Sequence, residues 1–466
     1  MILGAGFSYA VCRLPLGNLL GQMALDRAFQ SAPELFRSSI TFSDDYPFEV
    51  WLSQLADDQP HLGQIDNGLN AVRFAAVREA LVAALREVEA QALVRQPPEW
   101  FYRLLTVWHL KQSTLVSFNY DTLIESGVAS ICLEPGEFLA PDLSAFDALA
   151  YAAPVSTAVS PEALFHDQPP LVIPGDGPAG ATMRLLKLHG SLGWWWVEGD
   201  ESGATLAREP VASTFGNPAE YDDHARRALR PGRVPFIIPP LASKSAYYGN
   251  PVTRQLWQDA YEALGNADTV ALFGYSLPRN DTIVGSMIEG ALAHSECAIE
   301  VVNPDATSLE QRLRALGVST PTTAFDDAAT CAEEYAENVC ARASEELSAK
   351  VSPLLAKART QAEDAAVVRW SRDGQALHTR VIGIEEGAMG ALTLVTETAG
   401  GAFTTDPGDG PTVRTVIQAI AGARRINARY PDGYESPVVG FDAPHFENPR
   451  AHHVLYLIPA GQLRTH

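Results

Sequence analysis

Short apolar runs that alternate with helical stretches constrain the fold of this chain more than any other feature. Each run is almost continuously apolar, which is typical of a strand covered on both faces of a sheet. The helical stretches carry apolar residues at three- and four-residue spacing, most clearly over 72–93. The runs lie at 1–3, 114–118, 185–188, 236–238, 269–273 and 299–302, and the helical stretches at 18–29, 48–56, 69–93 and 250–264. This alternation predicts an α/β fold with a doubly wound, mainly parallel, Rossmann-like sheet.

The texture of the sequence changes near residue 330, and a chain of 466 residues is too long for one ordinary core. We therefore expect a first domain over 1–330, a helical linker over 331–365 and a smaller α+β domain over 366–466. No internal repeat is visible. Within the first domain, long loops or insertions rich in Pro, Gly, Ala and Asp are expected at 134–182 and 198–235. Within the last, strands are expected at 366–370, 377–384, 392–396 and 453–458, and a helix at 413–428.

Composition argues against several classes of protein. The chain has 56 acidic and 34 basic residues, and a formal net charge of −22 disfavours non-specific binding to nucleic acid. No stretch approaches about 18 consecutive apolar residues, so no membrane span is expected. The apolar start, MILGAGFSYAVC, lacks the basic region of a signal peptide and is interpreted as a strand and a glycine turn. The five cysteines form no CxxC pair, so a zinc site or a disulfide framework is not expected, and a reducing cytoplasm fits best.

Small and polar residues follow five of the predicted strands directly. Ligands of open α/β sheets bind beyond the carboxyl ends of the strands, and glycine turns there let backbone N–H groups hold an anion. Each residue alone has a plainer interpretation as a turn, a helix cap or, for His189, a core histidine; together they predict a nucleotide site. The residues are Gly4, Ala5, Gly6 and Ser8 after the first strand, Asn119 and Asp121 after the second, His189 after the third, Gly274, Tyr275 and Ser276 after the fifth, and Asn303 after the sixth.

One apparent nucleotide motif is a poor match. The stretch VIPGDGPAGATM fits GxGxxG at Gly175, Gly177 and Gly180, but that fingerprint requires a helix directly after it. Here the chain runs on into the apparent strand MRLLKLHG, so we interpret the stretch as a loop. Asp281 is interpreted as a helix cap, and the three tryptophans at 194–196 as packing or a pocket wall.

Five short motifs occur in an order that resembles the sirtuin-like superfamily. They are GAGFS, FNYD, KLHGSL, GYSLP and a strand ending in Asn, and they cover roughly residues 1–305. The match is closest to the bacterial branch of NAD-consuming antiviral defence proteins. The resemblance implies an enzyme that takes NAD as its substrate.

The resemblance also implies a role for each candidate residue. Gly4, Ala5 and Gly6, with Ser8, would hold the NAD pyrophosphate, and Asn119 and Asp121 would flank the nicotinamide ribose. His189 would be the general base. Phosphate and the adenosine ribose would contact the later strand ends, at Gly274, Ser276 and Asn303.

Two departures from the protein-deacylating sirtuins favour NAD hydrolysis over deacylation. The paired CxxC motifs of their zinc module are missing, so no zinc is expected, and the segment CRLPLGNLL lacks their usual acidic and arginine pattern. Because only three residues precede Gly4, the true start codon is also expected to lie upstream. The expected reaction cleaves the nicotinamide–ribose bond to give nicotinamide and ADP-ribose, or a cyclic form.

Two other functions remain open at this stage. One is a catalytically silent nucleotide sensor that signals through the C-terminal domain, and the other is an NAD-dependent protein deacylase with a rebuilt structural module. Retention of both Asn119 and His189 argues against a pure sensor. Residues 331–466 carry no motif, and we expect them to control the activity through a partner protein, a small-molecule ligand or homo-oligomerisation.

Overall fold

Two folded units make up this protein: a layered α/β domain and a small β-barrel. A computed structural model describes residues 1–36, 40–43, 45–131, 183–200, 202–203, 205–208, 214–216, 232–241, 244, 247–278, 281–357, 364–372, 375–399, 406–443, 446 and 454–463. The insertion expected at 134–182, with Gly175, Gly177 and Gly180, lies outside these residues, as does most of the one expected at 198–235.

The first unit is built on a six-stranded parallel sheet, as the sequence predicts. Its strands are β1 (Ile2–Leu3), β2 (Thr114–Ser117), β3 (Arg184–Lys187), β7 (Thr269–Phe273), β8 (Ala298–Val302) and β9 (Thr322–Phe325). They run in the order β3-β2-β1-β7-β8-β9. The order reverses at β1, which pairs with β2 on one side and β7 on the other. This reversal is the switch point at which doubly wound sheets bind ligands.

Helices cover both faces of this sheet, which explains the nearly continuous apolar runs. Successive strand residues point to opposite faces. Ile2 therefore packs into one core and Leu3 into the other, and Val270 and Ala271 divide in the same way. The helices are α1 (Ala5–Cys12), α2 (Gly17–Ser31), α3 (Phe48–Ala56), α4 (Gln64–Leu93), α5 (Glu99–Leu110), α6 (Leu123–Ser130), α7 (Pro251–Gly265), α8 (Thr282–Leu292) and α9 (Ala306–Ala315).

A separate antiparallel sheet adjoins the parallel one. Its order is β5-β4-β6, with β4 at Gly190–Trp196, β5 at Ala207–Arg208 and β6 at Val234–Ile237. The apolar run at 236–238 therefore contributes to a strand, but this strand lies outside the parallel sheet. Trp194 and Trp195 are buried, in agreement with their interpretation as packing residues. Leu192 and Ile237 join a third core with α2, α3 and α4.

The helical run after residue 330 joins the two units. It forms α10 (Cys331–Val351) and α11 (Leu354–Lys357). The first half of α10, from Cys331 to Ala343, is buried in the core of the parallel sheet, and Leu347 and Val351 are buried in the core of the barrel. One helix therefore contributes to both hydrophobic cores, and it is not an exposed linker.

The C-terminal unit corrects the expected α+β domain: it is a closed six-stranded barrel with a helix packed on it. Its strands are β10 (Ala366–Arg372), β11 (Gln375–Glu386), β12 (Ala391–Thr396), β13 (Arg425–Arg429), β14 (Glu435–Asp442) and β15 (Leu455–Pro459), and its helix is α12 (Val413–Ala421). The helix expected at 413–428 was too long. It ends before Gly422, and Ile426 and Ala428 are buried with the two-residue period of a strand.

The barrel contains a repeat that the sequence did not reveal. Two antiparallel three-stranded units, β10–β12 and β13–β15, join through the parallel pairs β12–β13 and β10–β15. Each unit has a register irregularity before a glycine, between Val381 and Gly383 and between Val438 and Gly440. Among the described helices of the whole chain, none is long and apolar enough to cross a membrane.

Candidate functional site

Two glycine turns meet at the switch point of the sheet. The N–H of Gly4 donates to the carbonyl of Phe273 (3.0 Å), and the N–H of Gly6 donates to the carbonyl of Gly274 (2.8 Å). Gly274 has a φ of +62°, and a Cβ there would lie 2.1 Å from the nitrogen of Phe7. The glycines are therefore required for close backbone packing. Because the N–H of Gly6 is already bonded, it is not free to hold an anion.

A cavity of about 220 Å³ opens beside this turn, at the carboxyl ends of β1 and β2. Ala5, Ser8, Asn119 and Asp121 line it, so the structure brings together four of the residues predicted from the sequence. Its outer wall comes from the third core, and Glu49 on α3 adds a carboxylate. The volume is below the roughly 300–1,000 Å³ of sites that enclose a drug-sized ligand, so it suits one end of a dinucleotide.

Asn119 is held by its amide nitrogen and presents its amide oxygen. Nδ2 donates to the carbonyl of Gly4 (2.8 Å) and to Oγ of Ser8 (2.9 Å). An amide nitrogen has two N–H bonds, and both are used here. The atom that remains for a ligand is therefore Oδ1, which can accept a hydrogen bond from a hydroxyl group or a water molecule.

Ser8 and Asp121 hold this amide in place. Ser8 Oγ donates to Oδ2 of Asp121 (2.6 Å), and Oδ1 of Asp121 accepts from the N–H of Leu123 (3.3 Å) at the start of α6. Burial raises the pKa of Asp121, while nearby Lys187 opposes that rise. These contacts explain why the strand ends with both an amide and a carboxylate: the carboxylate orients Ser8, and Ser8 orients Asn119. Ser8 serves this internal network, so its hydroxyl is not a free phosphate ligand.

A buried charge cluster that the sequence analysis missed supports the same turn. Lys187 Nζ donates to the carbonyl of Asp121 and to Oε1 of Glu125 (2.9 Å). Glu89, near the C-terminal end of α4, accepts from the N–H and Oγ1 of Thr122. Burial raises the pKa of Glu89 to about 7. A lysine inside the apolar run LLKL, and a glutamate on the apolar side of α4, were the signals in the sequence.

His189 follows β3 but does not line the cavity described above. Its ring lies 5.0 Å from that of Phe118 and 6.4 Å from that of Tyr120, measured between centroids. Lys244 Nζ lies 3.4 Å from its Nε2. Burial and this ammonium group hold the pKa of His189 well below its usual value, against a hydrogen bond to the backbone of Phe118. Nε2 of His189 therefore faces the ammonium group of Lys244.

Lys244 connects His189 to the start of α8. Its Nζ lies 3.5 Å from Oδ1 of Asp281, whose Oδ2 accepts from the hydroxyl of Tyr275 (3.0 Å). Asp281 occupies the N-cap position of α8, but its side chain makes no capping hydrogen bond. The prediction that the Asp281 side chain caps this helix is therefore wrong: its carboxylate contacts Lys244 and accepts a hydrogen bond from Tyr275. A single Lys in a loop gave no sequence signal for this contact.

The remaining predicted residues lie at the ends of β7 and β8, outside the cavity. The N–H of Gly274 donates to the carbonyl of Val302 (2.9 Å). Ser276 is exposed, and Arg312 donates to its carbonyl. Asn303 Oδ1 accepts from the N–H of Asp305 (2.9 Å). These residues form the second half of the switch point, next to the glycine contact.

Metal ligands do not gather anywhere in the described part of the chain: no group of three or more His, Cys, Asp or Glu side chains there could hold a metal ion. The described cysteines are free thiols, at Cys12, Cys297, Cys331 and Cys340.

The sequence matches no protein-family model. No curated protein is similar to it at a significant level. Asn119, Asp121 and Glu49 all line the cavity. An oriented amide oxygen there can bind hydroxyl groups, and carboxylates of the same cavity can stabilise a positive charge.

Proposed function

We propose that this protein is an NAD hydrolase that cleaves the nicotinamide–ribose bond. The observation that carries the proposal is Oδ1 of Asn119, oriented by two donor contacts and presented to a cavity at the switch point. The resemblance of GAGFS, FNYD and KLHGSL to the sirtuin-like motifs supports NAD as the substrate. The cavity would take the nicotinamide riboside end, and the rest of the dinucleotide would extend over Gly274, Ser276 and Asn303.

The reaction needs little acid catalysis because nicotinamide leaves as a neutral group from a cationic nitrogen. The C1′–N bond breaks, its electron pair stays on the nicotinamide nitrogen, and positive charge develops on the ribose. The carboxylates of Asp121 and Glu49 stabilise that charge, and Asn119 Oδ1 orients a ribose hydroxyl or the attacking water. The water oxygen bonds to C1′, and its proton passes to Nε2 of His189; such a base contributes typically about 10²–10⁴-fold.

The products are nicotinamide and ADP-ribose. A cyclic form arises if an adenine nitrogen attacks in place of water. The cellular role that the resemblance implies is antiphage defence in the cytoplasm by depletion of NAD. Because an unrestrained NAD hydrolase would drain its own cell, the full-length protein is expected to have a low but measurable basal activity that a partner, a ligand or self-association raises.

The barrel domain is the part of the chain that we propose restrains or activates NAD hydrolysis at the site. Tyr434 in the barrel domain donates to Oε1 of Glu99 on α5 (2.9 Å), and α10 contributes to both cores. A partner protein, a small-molecule ligand or a second copy of the chain that binds the barrel would act on the site through this helix. A chain cut at residue 330 would lose α10 from the first core, so point variants at the contact are the better test.

A nucleotide sensor without catalysis is the second candidate function. The observation in its favour is that His189 lies outside the cavity and faces Lys244. An NAD-dependent deacylase is less favoured, since its zinc module has no counterpart in the sequence. Adding an acetylated peptide to the NAD assay distinguishes the deacylase, which would consume NAD only in the presence of that peptide.

The proposal is tested with two matched asparagine variants. Asn119→Ala removes the presented amide and should abolish NAD loss. Asn250→Ala is the control: Asn250 is also buried (5% against 9% exposed) and caps α7 through Val252, but it does not line the cavity. Loss of a cap costs about 1 kcal/mol, so this variant should be destabilised yet keep its turnover. Turnover near that of the wild type in a folded Asn119→Ala protein would refute the assignment.

A further inference from the structure

We propose that Lys244 is a positioning residue that gates His189: it contacts Nε2 in this structure, and it moves to the diphosphate when the nucleotide binds. The inference rests on the proposed function, since it assigns a binding partner to the substrate of the same site. It names a residue that neither the motifs nor the cavity lining identify.

The ammonium group of Lys244 is buried and held by long contacts. Nζ lies 3.4 Å from His189 Nε2 and 3.5 Å from Asp281 Oδ1. Strong charge-assisted hydrogen bonds are about 2.7–2.9 Å long. The partner carboxylate is also shared, because its other oxygen accepts from Tyr275. An anion that offered shorter contacts would therefore compete well for this ammonium group.

Lys244 is linked to the switch point through Asp281, whose Oδ2 accepts from the hydroxyl of Tyr275. Tyr275 follows Gly274 directly, and Gly274 packs on the turn of Gly4 and Gly6. In doubly wound sheets the diphosphate of a dinucleotide crosses at this switch point. The N–H of Gly6 already donates to the carbonyl of Gly274, so the turn has fewer free backbone N–H groups for an anion. The three donors of a lysine ammonium would compensate for this.

The exchange would free His189 for proton transfer. While Lys244 faces Nε2, an added proton on that atom is opposed by the ammonium charge and by burial. When the ammonium moves to the diphosphate, the lone pair of Nε2 is released and the pKa of His189 rises. Asp281 contacts Lys244, and Tyr120 lies beside His189. The ionisable groups that act on Tyr120 or on Tyr275, the partner of Asp281, include Glu49, Tyr247 and Tyr248. Lys244 is the cation among these described groups, so its movement changes the local charge most.

The test is the titration of His189 by NMR in the full-length protein labelled with ¹⁵N-histidine, with His189→Gln used to assign the signal. Adding ADP-ribose, which carries the diphosphate but no nicotinamide, should raise the pKa of His189 in the wild type. In Lys244→Met the pKa of His189 should already be raised without ligand, and adding ADP-ribose should raise it less than in the wild type. Lys244→Arg keeps the charge and should keep the low pKa.

Binding gives the second measurement. Lys244→Met should bind ADP-ribose at least about tenfold more weakly than the wild type, corresponding to about 1.4 kcal/mol, and should raise KM for NAD. If ADP-ribose binds but leaves the pKa of His189 unchanged, or if Lys244→Met titrates as the wild type does, the gate is refuted while NAD turnover can persist. If ADP-ribose does not bind at all, the gate is also refuted, and NAD turnover by the wild type decides the proposed function separately.

Discussion

Replacing the buried Glu89 by glutamine is expected to stabilise this protein at alkaline pH and to leave it nearly unchanged at acidic pH. Glu89 is buried at 5% exposure, and burial raises its pKa from 4.5 to about 7. The folded state therefore binds a proton that the unfolded state has lost between these two pH values. Stability falls as pH rises through that window, and the full cost is present above about pH 7.

The magnitude follows from the pKa change. At about 1.4 kcal/mol per pKa unit, the rise from 4.5 to about 7 corresponds to about 3 kcal/mol lost above pH 7. A glutamine has the shape of the protonated acid, and its oxygen can still accept from the N–H and hydroxyl of Thr122. Glu89→Gln should thus be within about 1 kcal/mol of the wild type at pH 5 and about 2–3 kcal/mol more stable at pH 8.

Urea unfolding followed by tryptophan fluorescence at both pH values measures this difference. The control is Glu87→Gln on the same helix, because Glu87 is exposed and paired with Arg27 (2.7 Å). Loss of such a surface ion pair costs at most about 1 kcal/mol, so the control should be slightly destabilised. An equal effect of Glu89→Gln at pH 5 and pH 8, or a wild type that is the more stable protein at pH 8, would refute the reasoning.

Three further predictions concern the glycine contact, the metal content and the barrel. Gly274→Ala should lower the free energy of unfolding by about 2–4 kcal/mol, because its Cβ would meet the nitrogen of Phe7. The control Gly199→Ala, at φ +82° with open space around it, should lower it by only about 1–2 kcal/mol. Equal losses of stability in thermal unfolding would contradict the packing argument. The purified protein should contain no stoichiometric zinc and keep its NAD turnover in EDTA; one zinc per chain by elemental analysis would revive the deacylase. Tyr434→Phe should lower the free energy of unfolding by about 1 kcal/mol, because the hydrogen bond from Tyr434 to Glu99 is lost. An unchanged unfolding midpoint would show that this contact does not stabilise the interface between the two domains.

Local patterns were enough to predict much of the parallel sheet. The helix expected at 48–56 is found as Phe48–Ala56, because its apolar face has the regular spacing of an amphipathic helix. The parallel strands were visible because both faces are covered, so nearly every residue in a run is apolar. The end of α12 was missed, since the residues after Gly422 continue an apparently helical composition while pairing as β13.

The barrel and part of the site depend on pairings between distant residues, which local patterns do not encode. Pro437 and Gly440 interrupt β14, and both residue types are depleted in strands. Closure of the barrel through β10 and β15 joins segments about ninety residues apart. Likewise, Asn119 and Asp121 were found because they end a strand. Lys244 was not, because its role appears only when its loop meets His189.

The central claim is tested most directly by the products that the full-length protein forms from NAD. Purified wild-type protein and Asn119→Ala are incubated with NAD over a series of protein concentrations, and the products are separated by chromatography. The account predicts nicotinamide with an equimolar amount of ADP-ribose, or its cyclic form, from the wild type and none from the variant. Intact NAD with the wild type at every protein concentration, or equal nicotinamide from both proteins, would contradict it.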